Sequence, residues 1–185
     1  MYPPTLAQKT EIVFEVDFKG EKIGLLRAVE ERDGNKVIKD LKTETNTKIL
    51  VIAIHVETEV QINKEDEILM EGKAYRHSNR GTVDVHARTS RIGDKSYELE
   101  RNGTKSNYNE DITICMIDIY FKEPLGITSV FSNMYAQKLE LRLMRPGEYQ
   151  LMTPDHKNSY FTYENGLLMT VESDTPVGKI VSKRL

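Results

Sequence analysis

The stretch Ile12-Val13-Phe14-Glu15-Val16-Asp17-Phe18-Lys19-Gly20 decides the fold. Ile12, Phe14, Val16 and Phe18 fall on one side of an extended chain, and Glu15 and Asp17 fall on the other, because successive strand side chains point to opposite faces. Gly20 supplies a turn and Ile23–Glu30 returns. Outward from there the same alternation continues. Asp33-Gly34-Asn35 turns the chain, and the next run sets Val37, Leu41, Thr43, Thr45 and Thr47 against Asp40, Lys42, Glu44 and Lys48. Ile49–Ile62 is the longest strand candidate, with Ile54, Val56, Thr58, Val60 and Ile62 in step, and Asn63-Lys64-Glu65-Asp66 closes it. Glu67–Ser78 and Thr82–Ile92 flank a hairpin signal at Asn79-Arg80-Gly81. Gly93-Asp94-Lys95 and Asn102-Gly103 mark two more turns. Strands therefore follow strands with no room for crossovers, which predicts an antiparallel meander.

The texture changes near residue 108. Asp111–Phe121 is almost solidly apolar, bounded by Asn109-Glu110-Asp111, which suits a helix cap, and by Pro124, which ends a helix. The spacing predicts a short helix here, although the β-branched content argues for a strand. Leu125–Gln137 reads as an irregular crossing, and strands resume at 138–144, 148–153, 159–164, 167–173 and 178–183. Asn165-Gly166 is the strongest hairpin signal of the chain. The expected fold is mainly β: one strongly curved antiparallel sheet or open half-barrel, with one short helix packed on its concave side. The expected organisation is a single domain over 1–185, with a flexible N-terminus at 1–10 and a helix and loop insert at 108–137.

The chain has 185 residues, 26 Lys and Arg against 29 Asp and Glu, a net charge of −3, and 38% hydrophobic and 30% charged residues. That size supports a core without disulfides or a structural metal, in keeping with the single Cys115, expected to be a small buried hydrophobe. Interspersed charge of this balance argues against a nucleic-acid partner, and the charged fraction argues against a transmembrane segment. The opening Met1–Thr5 has no secretory pattern, which fits a cytoplasmic protein or a mature exported one.

Nine of the fourteen aromatics and four methionines lie within 108–163. They either plug the concave side of the sheet or line a pocket for an apolar or lipid-like ligand. Met116, Tyr120, Phe121, Phe131, Tyr135, Tyr149, Tyr160 and Tyr163 are the candidate pocket-lining residues. Signatures of nucleotide, phosphate, nucleophile-elbow and zinc-protease sites are missing. His55, His77, His86 and His156 show no metal-ligand spacing. His77, His86 and Asp84 could meet across a hairpin, either as a surface pair or as a metal site. Asp111, Asp118 and Glu123 are the acid–base candidates, since burial beside the apolar segment would raise a carboxyl pKa. A cap at Asp111 and a solvent-facing stripe at Asp118 are the plainer readings. No catalytic residue, cofactor or metal is expected.

The segments Tyr120-Phe121-Lys122-Glu123-Pro124-Leu125-Gly126, Val130-Phe131-Ser132, Gly147-Glu148-Tyr149 and Asn158–Gly166, with Val171-Glu172 and the Gly20-Glu21-Lys22-Ile23-Gly24 hairpin, resemble a β-rich family of Gram-negative bacterial exported proteins catalogued as a domain of unknown function. The resemblance implies a periplasmic or otherwise exported protein, and it carries no activity or site residue. Together these readings favour a non-enzymatic envelope protein that binds an apolar or lipid-like molecule. The rivals are a hydrolase or carbohydrate-active enzyme built on Asp118 and Glu123, and a structural or partner-binding module that uses a sheet edge. Oligomeric state is left open.

Overall fold

The alternation becomes a continuous ladder in the computed structural model, which describes residues 7–49, 52–80, 84–176 and 178–185. The strands are β1 (Gln8–Phe18), β2 (Glu21–Asp33), β3 (Lys36–Ile49), β4 (Ile52–Glu65), β5 (Ile68–Ser78), β6 (Val85–Gly93), β7 (Ser96–Arg101), β8 (Thr104–Tyr108), β9 (Ser129–Ser132), β10 (Gln137–Arg145), β11 (Glu148–Leu151), β12 (Ser159–Glu164), β13 (Leu167–Thr175) and β14 (Gly178–Arg184). They form one antiparallel sheet in the order β8-β7-β6-β5-β4-β3-β2-β1-β14-β13-β12-β11-β10-β9. Two meanders are thus joined at a central seam, where Val16 lies opposite Ser182 and Phe18 opposite Ile180. The sheet is not closed, because its outermost strands β8 and β9 do not pair with each other.

A flat sheet of this order would hold β7 and β9 apart by about 58 Å at the usual 4.8 Å strand spacing. Yet Arg101 Nε on β7 donates to Met134 O, just beyond β9, at 2.9 Å. The sheet is therefore curled around its own inner face. Register shifts at Val16/Asp17, Asn63/Lys64 and Thr162/Tyr163 contribute, since each bulge adds local twist and bend. One core cluster gathers Phe14 and Val16 from β1, Leu69 from β5, Tyr97 from β7, Leu139 from β10 and Phe161 from β12. Tight turns set the pairing. Asn165 and Gly166 both take positive φ, 52° and 78°, the type I′ geometry whose twist matches that of the flanking strands.

Three expectations need correction. No three-turn helix spans Asp111–Phe121. Cys115 forms an isolated parallel bridge with Phe131, and only Met116–Tyr120 coils, as a single 3₁₀ turn. Residues 112–114 are β-branched and have ladder-like partners on both sides: Leu69 N–H donates to Ile112 O at 2.8 Å and Phe131 N–H to Ile114 O at 2.9 Å. A helix would have consumed those carbonyls internally. The crossing at 125–137 contains β9, paired with β10 through Phe131 opposite Lys138. At the N-terminus β1 already begins at Gln8, so 8–10 are sheet, and the remainder of the 1–10 expectation falls mostly outside the described residues. The Asn79–Gly81 turn also lies partly outside them, as does the start of the Ile49–Ile62 candidate, where β3 gives way to β4.

Candidate functional site

The chain leaving β8 crosses the inner face of the sheet, and the buried lysines Lys39 and Lys64 meet it there. Tyr97 anchors it: its buried hydroxyl donates to Leu69 O at 2.9 Å and accepts from Ile112 N–H at 3.4 Å. The 3₁₀ turn then buries Ile117, Ile119 and Tyr120. Asp118, on the opposite side of the turn, accepts from Cys115 N–H at 2.7 Å, which satisfies one of the donors that a helical turn leaves free.

Asp118 also neutralises two interior lysines. Lys39 Nζ lies 2.8 Å from Oδ1 and Lys64 Nζ 2.5 Å from Oδ2. Lys39 pairs further with Glu30 at 2.8 Å and sits 4.9 Å from the Phe121 ring centre. Lys64 donates to Thr113 O at 2.7 Å. Both lysines are buried, at 6% and 2% exposure. Burial pushes the Asp118 carboxyl up, but Lys64 and Lys39 together outweigh it and hold the group below its ordinary value. Burial likewise opposes the Lys39 charge, and Asp118 and Glu30 overcome it and raise its pKa. Four charges of zero sum thus hold the crossing against β2, β3 and β4.

This overturns the solvent-facing reading of Asp118. An ionised carboxylate clamped by two ammonium groups is also a poor proton donor at neutral pH. The other two acid–base candidates are engaged as well. Asp111 pairs with Arg91 at 3.2 Å, and Glu123 accepts from Tyr149 O–H at 3.0 Å. Cys115 is fully buried, and desolvation raises its thiol pKa, so it carries no ready thiolate.

Beside the network a cleft of about 230 Å³ opens between residues 111–114 and 126–129, closed by Tyr108, Phe131 and Lys138. Tyr108, Ile112, Ile114, Ile127 and Phe131 contribute to its lining, the surface it presents is more polar than apolar, and Asp111 is the only carboxylate among the lining residues. At its rim Glu110 accepts from Tyr108 O–H at 3.0 Å and from Lys138 Nζ at 3.4 Å. The Tyr108 hydroxyl, desolvated and next to Glu110, has its pKa pushed up to about 12.

Of the eight pocket-lining candidates, Phe131 borders this cleft. Tyr120 packs edge-on between Phe14 and Phe161, with ring centres 6.0 and 5.9 Å away. Tyr163 donates to Ile119 O and meets Tyr149 edge-on at 5.5 Å. Met116 and Phe121 are half-buried against the same core. Tyr135 is half-buried against that core as well, whereas Tyr160 lies apart from it. Tyr135 donates to Asp155 at 2.9 Å under Arg101, and Tyr160 sits under Lys179 with its ring centre 5.0 Å away. The interior of the curl around Tyr120 is thus filled by the protein's own side chains.

Lys39 and Lys64 were missed, although parity alone would have found them. Lys39 shares the phase of Val37 and Leu41, and Lys64 that of Val60 and Ile62. On the opposite face His77 Nδ1 lies 2.9 Å from Asp84 Oδ2, the surface pair considered above. Among the described residues no group of three His, Cys, Asp or Glu is arranged to hold a metal ion, and no helix is long and apolar enough to cross a membrane.

Neither a curated protein nor a solved structure matches the chain. A family model does match, over residues 14–185, and it spans both meanders, the crossing and the cleft. The chain belongs to the family described as Domain of unknown function (DUF6134).

Proposed function

We propose that the protein is a non-enzymatic binding module of the cell envelope that holds the end of an apolar or lipid-like molecule in the cleft beside the crossing. The cleft carries the reading: Ile114, Ile127 and Phe131 help line about 230 Å³ in which the polar groups of Asp111, Thr128, Ser129 and Lys138 supply most of the exposed surface, a setting for an apolar end beside a polar group. An apolar cavity of about 150 Å³ accepts benzene, whereas drug-sized ligands need about 300–1,000 Å³. A short acyl end or a single ring therefore fits, and a whole lipid does not. Export rests on the resemblance carried by residues 120–166. The absence of a second carboxylate from the lining weighs against the hydrolase alternative, whose chemistry needs an acid and a base or nucleophile flanking one bond.

Native mass spectrometry after lipid extraction, with displacement of a fluorescent medium-chain fatty acid, tests this. Binding that Ile127→Trp abolishes by filling the cleft is the expected result. If the probe does not bind, or binds the filled variant equally well, the reading fails. The free outer edge of β8, a five-residue strand, keeps the partner-binding reading alive. Its shortness and Lys105 limit how readily another strand could add to it.

A further inference from the structure

The outer face of the sheet carries a second concavity, unconnected with the cleft, of about 650 Å³ across β3 to β7. Register defines one row through it: Asp40 opposite Gln61, Gln61 opposite Lys73, Lys73 opposite Arg88, and Arg88 opposite Glu100. Lys73 and Arg88 therefore face each other directly on neighbouring strands, where side chains stand about 5 Å apart and like charges repel. The sheet does nothing to relieve this at Lys73, whose side chain has no hydrogen bond or ion pair among the described residues; Asp40 and Glu100, at the ends of the row, have none either. Arg88 turns aside to Glu71 at 3.2 Å. In the adjoining row Tyr75 lies opposite His86, with ring centres 5.1 Å apart and planes tilted by 55°, so an aromatic pair borders the row.

We propose that this groove binds an acidic saccharide, with the carboxylate of one sugar between Lys73 and Arg88, a sugar face against Tyr75 or His86, and sugar hydroxyls donating to Asp40 and Glu100. Each part of the row then has a complement. Lys73 gains the counter-charge it lacks, and Arg88, already paired with Glu71, adds a charge-assisted hydrogen bond. The terminal carboxylates, which accept but cannot donate, gain hydroxyl donors at both ends of the row, which a single inorganic anion is too small to supply. Asp40 and Glu100 are four strands apart, about 19 Å at the usual spacing, a span suited to a short oligosaccharide rather than a single ion.

The test is titration calorimetry of the full chain with a uronic-acid trisaccharide, a neutral trisaccharide and inorganic phosphate. Binding of the uronic-acid trisaccharide alone is expected, weakening as salt rises, with Lys73→Gln and Arg88→Gln each reducing affinity about tenfold. Both side chains are exposed, and a thermal midpoint equal to or slightly above that of the wild type in each variant would show that the loss is not one of folding. No binding of the acidic trisaccharide, undiminished binding by both variants, or equal binding of phosphate or of the neutral sugar would each overturn the proposal.

Discussion

Replacing Asp118 by Asn removes one negative charge and almost no volume. The amide oxygen can still accept from Cys115 N–H, so the local turn keeps its cap. Lys39 keeps Glu30 at 2.8 Å. Lys64, 2% exposed, keeps only the neutral Thr113 carbonyl at 2.7 Å, which leaves a buried ammonium without a counter-charge. Breaking a buried pair from one side costs about 3–5 kcal/mol, a large share of the roughly 5–15 kcal/mol that holds a domain together. At about 2–4 °C per kcal/mol for a chain of this size, the thermal midpoint should fall by about 6–20 °C. Urea unfolding would show a lower midpoint at unchanged slope. Adding Lys64→Met should restore most of the loss, because the orphaned charge leaves with it. The pH dependence has a definite sign. The Asp118 carboxyl is held below its unfolded value, so its contribution is present above about pH 4 and fades as pH falls through the folded value. The Asn variant should lack that part of the acid slope. An Asp118→Asn protein within 1 kcal/mol of wild type, or no rescue by Lys64→Met, would refute the reasoning.

Other perturbations probe separate links. Gly72→Ala would put a Cβ 2.0 Å from Nδ2 of the buried Asn133, so chemical denaturation should show a loss of about 1–3 kcal/mol from overpacking. Tyr163→Phe strips the donor from Ile119 O, and unfolding should report a loss of about 1 kcal/mol with the fold unchanged by circular dichroism. The Cys115 thiol should react with a chromogenic disulfide at the rate of global opening, and rapid labelling in native buffer would contradict its burial. Lys39 has its pKa raised, so its stabilising effect should persist through pH 10 and decline only as pH rises through the folded value. A Lys39→Met chain should lose that alkaline limb in pH-dependent melts.

The two meanders were legible because their signal is local. A period of two, interrupted by Asn-Gly and Asp-Gly turns, specifies strand, face and hairpin without reference to distant residues. The crossing was not legible for the opposite reason. Whether Ile112–Cys115 coils or extends is decided by Leu69 N–H and Phe131 N–H, whose arrival depends on how far the sheet curls. The bulges that contribute to the curl leave no compositional mark. Asp118 was singled out as a residue but misjudged in its setting. Its partners are two lysines, a residue type that a reader of alternation excuses from the inner face even when its phase points there. The aromatic enrichment over 108–163 was plain in the composition, whereas which rings pack together depends on the curl. The cleft itself is formed by segments 15 residues apart that share no motif.

The seam between β1 and β14 also has a consequence for biosynthesis. Roughly 160 residues separate the end of β1 from the start of β14. At about 5–20 residues per second on the ribosome, β1 waits on the order of ten to thirty seconds for its neighbour. During that interval the first eight strands can already pair among themselves, while β1 offers its unpaired side to any other nascent chain. Lys9, Glu11, Glu15 and Asp17 stud that strand at alternate positions, and charges on a temporary edge discourage pairing with the wrong partner. The residues that give β1 its polar face thus also protect it before its proper neighbour has been made.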